Sequence, residues 1–183
     1  MENIISQFTT KSGKTVYFCY PTINDAEILM NYINKISLEK TFITFQGEQQ
    51  TLKEETKWLK SFIEKINKSE LVFLMAFIGG NLVATSHIEL KDKIKSHIGG
   101  FGITVSKDYR GDGIGKKLME LVISESIEKI KGLKIIELEV FGDNPIAQNL
   151  YKKMGFIEFG RLPRGIKHKD KFVDAVLMYK NLK

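Results

Sequence analysis

Residues 101–117 read FGITVSKDYRGDGIGKK, and how this stretch is parsed decides the fold. Phe101 to Val105 is apolar and partly β-branched, as a strand requires. From Gly111 to Lys131 the pattern turns helical, with Ile114, Leu118, Leu121 and Val122 spaced for one face. Glycines between a strand and a helix let the backbone approach a ligand closely. The first-turn N–H groups of the helix then face that ligand unpaired, and such an end favours anions. Lys107, Arg110, Lys116 and Lys117 add positive charge, so the ligand should carry phosphate. Two phosphate loops do not fit. A P-loop needs glycine where Arg110 stands and a hydroxyl where Lys117 stands. The dinucleotide fingerprint needs a third glycine where Lys116 stands. The pattern that does match is Arg-x-x-Gly-x-Gly, over Arg110, Gly113 and Gly115.

Outward from this loop, hydrophobic periodicity predicts an order β-α-α-β-β-β-α-β-α-β-β. Thr15–Tyr20 reads as a strand, and Asn24 with Glu27 reads as the capping box of a first helix carrying Ala26, Leu29, Met30 and Ile33. Thr51 with Glu54 opens a second helix, with Leu52, Leu59, Phe62, Ile63 and Ile66 on one face. Strands 71–78 and 82–90 are joined by Gly79-Gly80-Asn81, a hairpin signal. A third strand spans 97–105, and its glycines at 99, 100 and 102 suggest a bulge or a close approach. Either would splay it from the later strand 135–140 and open a slot. Asp143 or Asn144 caps a helix that begins at Pro145 and ends before Gly155. Strands 156–159 and 173–179 flank a basic loop from Arg161 to Lys171. An antiparallel meander passing into a βαβ unit implies an α/β (α+β) fold. It should have a mixed, mostly antiparallel central sheet of about seven strands with helices on both faces.

A chain of 183 residues suits one domain, residues 1–183. Cys19 is the only cysteine, so no intrachain disulfide can form, which favours a reducing compartment. Residues 1–12 lack the apolar core of a signal peptide, and no run approaches the ~20 residues that cross a bilayer. A cytoplasmic protein with no membrane partner is expected. The net charge is +6, and the second half carries most of it: residues 1–100 hold 12 Lys against 11 acids, residues 101–183 hold 13 Lys and 3 Arg against 11. That half suits a phosphate-bearing ligand, while Lys on solvated faces also serves solubility. No aromatics are interleaved in the basic loop, so no nucleic-acid partner is expected. His87, His97 and His168 lack metal-ligand spacing, and no metal is expected. No Gly-x-Ser-x-Gly elbow is present, which favours direct group transfer over a covalent enzyme intermediate.

The loop Arg110–Gly115 resembles the coenzyme A pyrophosphate loop of the GNAT superfamily of N-acetyltransferases. The segment NPIAQNLYKKMGF, residues 144–156, independently resembles the family's Asn-x-x-Ala-x-x-Leu-Tyr-x-x-x-Gly-Phe motif. Motif agreement spans about residues 97–160, and the first 96 residues agree in element order alone. The resemblance implies acetyl transfer from acetyl-CoA to a primary amine, of a small molecule or a protein N-terminus, by direct attack through a tetrahedral intermediate. It also admits a non-catalytic acyl-CoA sensor. It implies that Arg110, Gly111, Asp112, Gly113, Ile114, Gly115 and Lys116 receive the cofactor's phosphates. Ile103, Thr104 and Val105 would pair with its pantetheine arm, and Asn144 and Asn149 would bind it too. Tyr151 maps to the family's tyrosine near the cofactor sulfur and is the expected general acid. A phenol of pKa about 10 can protonate a thiolate whose conjugate acid lies near 8.5.

Many relatives carry a glutamate in the strand matching residues 97–105, and this strand has no acid. The base therefore falls to Glu89, or to His97 or His87, acting through water. Glu39, before the aromatic run 41–45, either holds an amine or is a solvated helix end. The basic loop either contacts the cofactor's 3′-phosphate or an acidic partner, or is simply solvated. Members of this family often pair, so a homodimer is a further expectation.

Overall fold

The run LVFLMAFI forms a strand buried along both of its faces, and the molecule is layered around it. The computed structural model describes residues 4–182. Among these residues, eight strands form one sheet: β1 (Ile4–Thr9), β2 (Thr15–Cys19), β3 (Leu71–Ile78), β4 (Asn81–Leu90), β5 (Ile98–Val105), β6 (Ile135–Phe141), β7 (Ile157–His168) and β8 (Lys171–Asn181). Their order is β1-β2-β3-β4-β5-β6-β8-β7, antiparallel except where β5 lies beside β6. Four α-helices among the described residues cover the sheet: α1 (Ala26–Leu38), α2 (Leu52–Asn67), α3 (Ile114–Lys129) and α4 (Pro145–Lys153). Along β3 the side chains alternate between two cores, as the period of two requires. Leu71, Phe73, Met75 and Phe77 meet α1 and α2 through Leu29, Ile36, Leu59 and Phe62. Val72, Leu74 and Ala76 belong to the core that α3 and α4 cover with Leu118, Val122 and Tyr151.

Local chemistry accounts for the boundaries. Gly79 and Gly80, both at positive φ, make the two-residue turn between Ile78 and Asn81. Thr51 and Glu54 form the capping box of α2, the Glu54 carboxylate accepting the Thr51 N–H at 2.8 Å. The Asn144 side chain accepts the Ala147 N–H at 3.1 Å at the start of α4, and Gly155 at φ +86° ends it.

Five expectations need correction. The sheet has eight strands, because Ile4–Thr9 pairs with β2 at the edge; this half-exposed segment lacks a clear apolar pattern. The basic stretch is not a loop: Arg161–His168 and Lys171 lie within a long hairpin, β7–β8, turned at Lys169-Asp170. A charged edge strand reads as a loop because its exposed face has no core to match. The first capping box is Thr22 with Asp25, which opens a short 3-10 turn before α1. Helix α3 begins at Ile114, since Gly111 and Gly113 take positive φ of 81° and 89°. Finally, β5 holds register with β4 from Leu90↔Gly99 to Ala84↔Val105 without a shift, so its glycines make no bulge there.

Candidate active site

Those glycines allow close approach instead. A Cβ on Gly102 would come within 2.4 Å of the His87 ring, and one on Gly99 within 2.6 Å of Ile88. Strand β5 stays parallel to β6 only over Ile98↔Ile135, Gly99↔Ile136 and Gly100↔Glu137. Beyond Gly100 the two strands part, and the β6-facing edge of Phe101–Val105 has no ladder partner. A cavity of about 490 Å³ fills the split, with Phe101, Gly102, Ile103 and Thr104 on one side and Leu138–Phe141 on the other. It is lined from both faces of the sheet: Glu55, Trp58 and His87 on the α1/α2 face, Tyr151 from α4 behind it.

The loop that follows β5 is held open by its neighbours. Arg110 Nε donates to the Val105 carbonyl at 2.8 Å, and its guanidinium pairs with Glu39 at the end of α1. The Glu39 carboxylate also accepts the Lys107 N–H at 3.1 Å. Asp112 accepts the Ser12 N–H at 2.9 Å and the Ser12 hydroxyl at 2.5 Å, and these bonds lower its pKa. The Ile114 side chain is buried in the core. Among the described residues, the six consecutive N–H groups of Gly111 through Lys116 have no protein acceptor. Unpaired amides at a helix N-terminus form an anion cradle, and Lys107, Lys116 and Lys117 lie in the same segment. A pyrophosphate fits this chemistry.

The predicted residues therefore divide by role. Gly111 to Lys116 offer main-chain groups, whereas the side chains of Arg110 and Asp112 brace the loop. Ile103 and Thr104 line the split, and Val105 ends the strand beside it. The Thr104 hydroxyl lies 2.8 Å from the Tyr32 hydroxyl and 2.9 Å from that of Thr85, which ties α1, β4 and β5 together. Tyr151 is 8% exposed, its ring edge-on to Phe101 at 5.9 Å, and burial pushes its pKa up to about 12. Asn144 caps α4 and lines the cavity, while Asn149 is exposed on α4 and does not line it.

Of the predicted bases, only His87 lines the cavity; burial lowers its pKa. His97 lies in an exposed turn before β5. Glu89 follows His87 on the same face of β4 but lies outside the cavity lining, and Lys65 of α2 takes its carboxylate. Glu39 serves the loop. The residue that sequence reasoning missed is Glu55, in the cavity wall and only 7% exposed. Burial raises its pKa to about 7, and among the described residues its carboxylate has no hydrogen-bond or ion-pair partner. The signal was present: Glu55 sits one turn before Leu59 on the buried stripe of α2, where an apolar residue belongs. No group of three or more His, Cys, Asp or Glu among the described residues could hold a metal ion, and no helix there is long and apolar enough to cross a membrane.

Comparison with known proteins agrees with this geometry. The L-amino acid N-acetyltransferase of Escherichia coli K12 is 33% identical over 106 residues, covering 57% of this chain and 65% of that enzyme. The chain thus spans just under two thirds of that relative's length. The crystal structure of an acetyltransferase of the GNAT family from Streptococcus pneumoniae superposes with a TM-score of 0.83 at 28% identity, covering 92% of this chain and 99% of that one. The Salmonella typhimurium protein yncA, solved with its cofactor acetyl-CoA, shares the fold at a TM-score of 0.78 and 14% identity, covering 92% and 94%. The model of the acetyltransferase (GNAT) family matches residues 34–156, a span that holds the split strands, the amide cradle and α4. This chain belongs to the acetyltransferase (GNAT) family.

Proposed function

We propose that the protein is an N-acetyltransferase that takes acetyl-CoA as its co-substrate and transfers the acetyl group to a primary amine by direct attack. The observation that carries the reading is the split between β5 and β6, which ends at six free amides and opens to both faces of the sheet. A thioester substrate with a peptide-like arm and a pyrophosphate needs that pair of features: an unpaired strand edge for the arm and a cradle for the anion. Acetyl-CoA bound to the Salmonella typhimurium neighbour supports the assignment.

In this reading the amine nitrogen attacks the thioester carbonyl carbon from the α1/α2 face, and the carbon–sulfur bond breaks. The departing thiolate takes the proton of the Tyr151 hydroxyl. The phenol is replenished by the proton released from the new amide nitrogen. With its pKa pushed up to about 12, Tyr151 holds its proton throughout the physiological range. The direct route needs no nucleophilic side chain; the only thiol, Cys19, is buried in the α1/α2 core with its pKa pushed up to about 11 by burial. Such an unreactive thiol also suits a reducing cytoplasm.

Acetyl-CoA-dependent thiol release with a panel of amines tests the proposal, with thermal melting read in parallel. Release with at least one amine, and a melting temperature raised by acetyl-CoA, is the expected result. Thermal protection without release from any amine would favour a sensor, and the absence of both release and protection would overturn the reading.

A further inference from the structure

Glu55 is 7% exposed, and its carboxylate, which opens to the cavity, has no hydrogen-bond or ion-pair partner among the described residues. What shares the wall with it restricts the molecule that can enter. Trp58, Phe73, Leu29, Ile33 and Phe45 share the lining with it, and among the described residues no Lys or Arg lines the cavity. Trp58 stacks on Phe62 with ring centroids 4.0 Å apart and meets Phe73 edge-on at 5.6 Å, so the wall is a built aromatic surface. His87 completes it, and burial lowers the pKa of that imidazole, which disfavours its charged form. The other carboxylate in the lining, Glu139, is exposed.

Building on the acetyltransfer reading, we infer that the acceptor is a small monoamine with an apolar or aromatic body and no carboxylate, its ammonium received by Glu55. A carboxylate largely withdrawn from water without a partner is destabilised, and an incoming cation offsets that loss. The aromatic rings that share the cavity wall can attract the same cation and bury its hydrocarbon. An α-amino acid brings a second charge that finds no counter-ion here, and its carboxylate would lie against Glu55. In that respect the cavity departs from what the amino-acid-acetylating relative's name describes.

The same contact prepares the attack. The ammonium transfers one proton to the Glu55 carboxylate and becomes the neutral amine that attacks the thioester. Glu55 then returns the proton to water, which accounts for the one proton released per turnover. A carboxyl whose pKa lies near 7 is suited to both halves of that exchange.

The test compares 2-phenylethylamine, L-phenylalanine, spermidine and a peptide with an N-terminal phenylalanine, at fixed acetyl-CoA. We expect kcat/KM for 2-phenylethylamine to exceed that for each of the others by about tenfold or more. Calorimetry without acetyl-CoA supplies a second readout. Binding of 2-phenylethylamine should weaken by about tenfold in Glu55→Gln and largely recover in Glu55→Asp. Acetyl-CoA binding should stay the same in both variants, which also shows that they fold. Equal or better turnover of L-phenylalanine, spermidine or the peptide would overturn the inference and leave acetyltransfer standing, as would amine binding unchanged in Glu55→Gln. Wild-type protein that neither binds acetyl-CoA nor acetylates any of the four would instead overturn the acetyltransfer reading, and this inference with it.

Discussion

The guanidinium of Arg110 is paired with the carboxylate of Glu39, 71 residues earlier in the chain, and so joins the end of α1 to the loop that precedes α3. The Glu39 side chain is 13% exposed, which makes this a shielded contact rather than a loose surface pair. It also accepts the Lys107 N–H, so one carboxylate fixes two points of the loop. Glu39→Gln should release the loop without altering any main-chain donor. Coenzyme A affinity measured by calorimetry is expected to fall by about tenfold, or 1.4 kcal/mol. Unchanged affinity would mean that the amide cradle is held without the brace.

Tyr151→Phe removes one hydroxyl from a buried position and keeps the ring packed against Phe101 and Phe156. If the phenol protonates the leaving thiolate, kcat should fall by a factor of about 10² or more while acetyl-CoA binding is retained. The sign of the pH effect also follows. Burial raises the phenol's pKa to about 12, so the acid form persists as pH rises. The wild-type rate should therefore show no alkaline loss assignable to Tyr151 below about pH 10. A Phe variant with wild-type kcat at every pH would remove the residue from the chemistry.

Gly113 sits at φ +89°, and a Cβ there would lie 3.3 Å from the Phe8 ring. Gly113→Val therefore strains the backbone and crowds β1, at a cost of about 1–3 kcal/mol in stability. The larger effect should fall on the ligand, because the adjacent amides must keep their direction to meet a pyrophosphate. We expect coenzyme A affinity to drop by more than about tenfold in protein that still melts cooperatively. Native affinity in that variant would place the anion elsewhere.

The second half of the chain was the more legible, for local reasons. Asn144, Pro145 and Gly155 each mark a helix end through their own backbone chemistry, and the glycines after Arg110 mark the ligand loop although the helix start was read three residues too early. The first half depends on partners distant in the chain. Nothing near Ile4–Thr9 announces a strand, since its ladder is completed by residues 15–19 and its side chains are half exposed. Glu89 and Glu55 show the same limit at the site. Glu89 was named as a base from its place on the strand before β5, yet only the packing of α2 on β4 reveals that Lys65 claims it. Glu55 broke the apolar stripe of α2, but a charge in a stripe becomes a site residue only once the facing wall is known to be a cavity.

Glu55 should also leave a signature in stability. Its pKa rises from an ordinary 4.5 to about 7 on burial, so between these values the folded protein holds a proton that the unfolded chain has lost. Folding stability from this group is fully present below about pH 4.5 and is lost as pH rises through 7. The loss should amount to about 1–2 kcal/mol once solvent entering through the cavity is allowed for. Tyr32, Tyr151, Glu139 and His87 line the same cavity, and His87 acts in the opposite sense: its lowered pKa costs stability as pH falls. Subtracting the Glu55→Gln curve from the wild-type curve isolates the carboxylate. Denaturant unfolding between pH 4.5 and 8 should show the variant gaining on the wild type as pH rises. A difference independent of pH would mean that Glu55 is ionised and solvated at no cost, which would remove the physical reason for it to receive a cation.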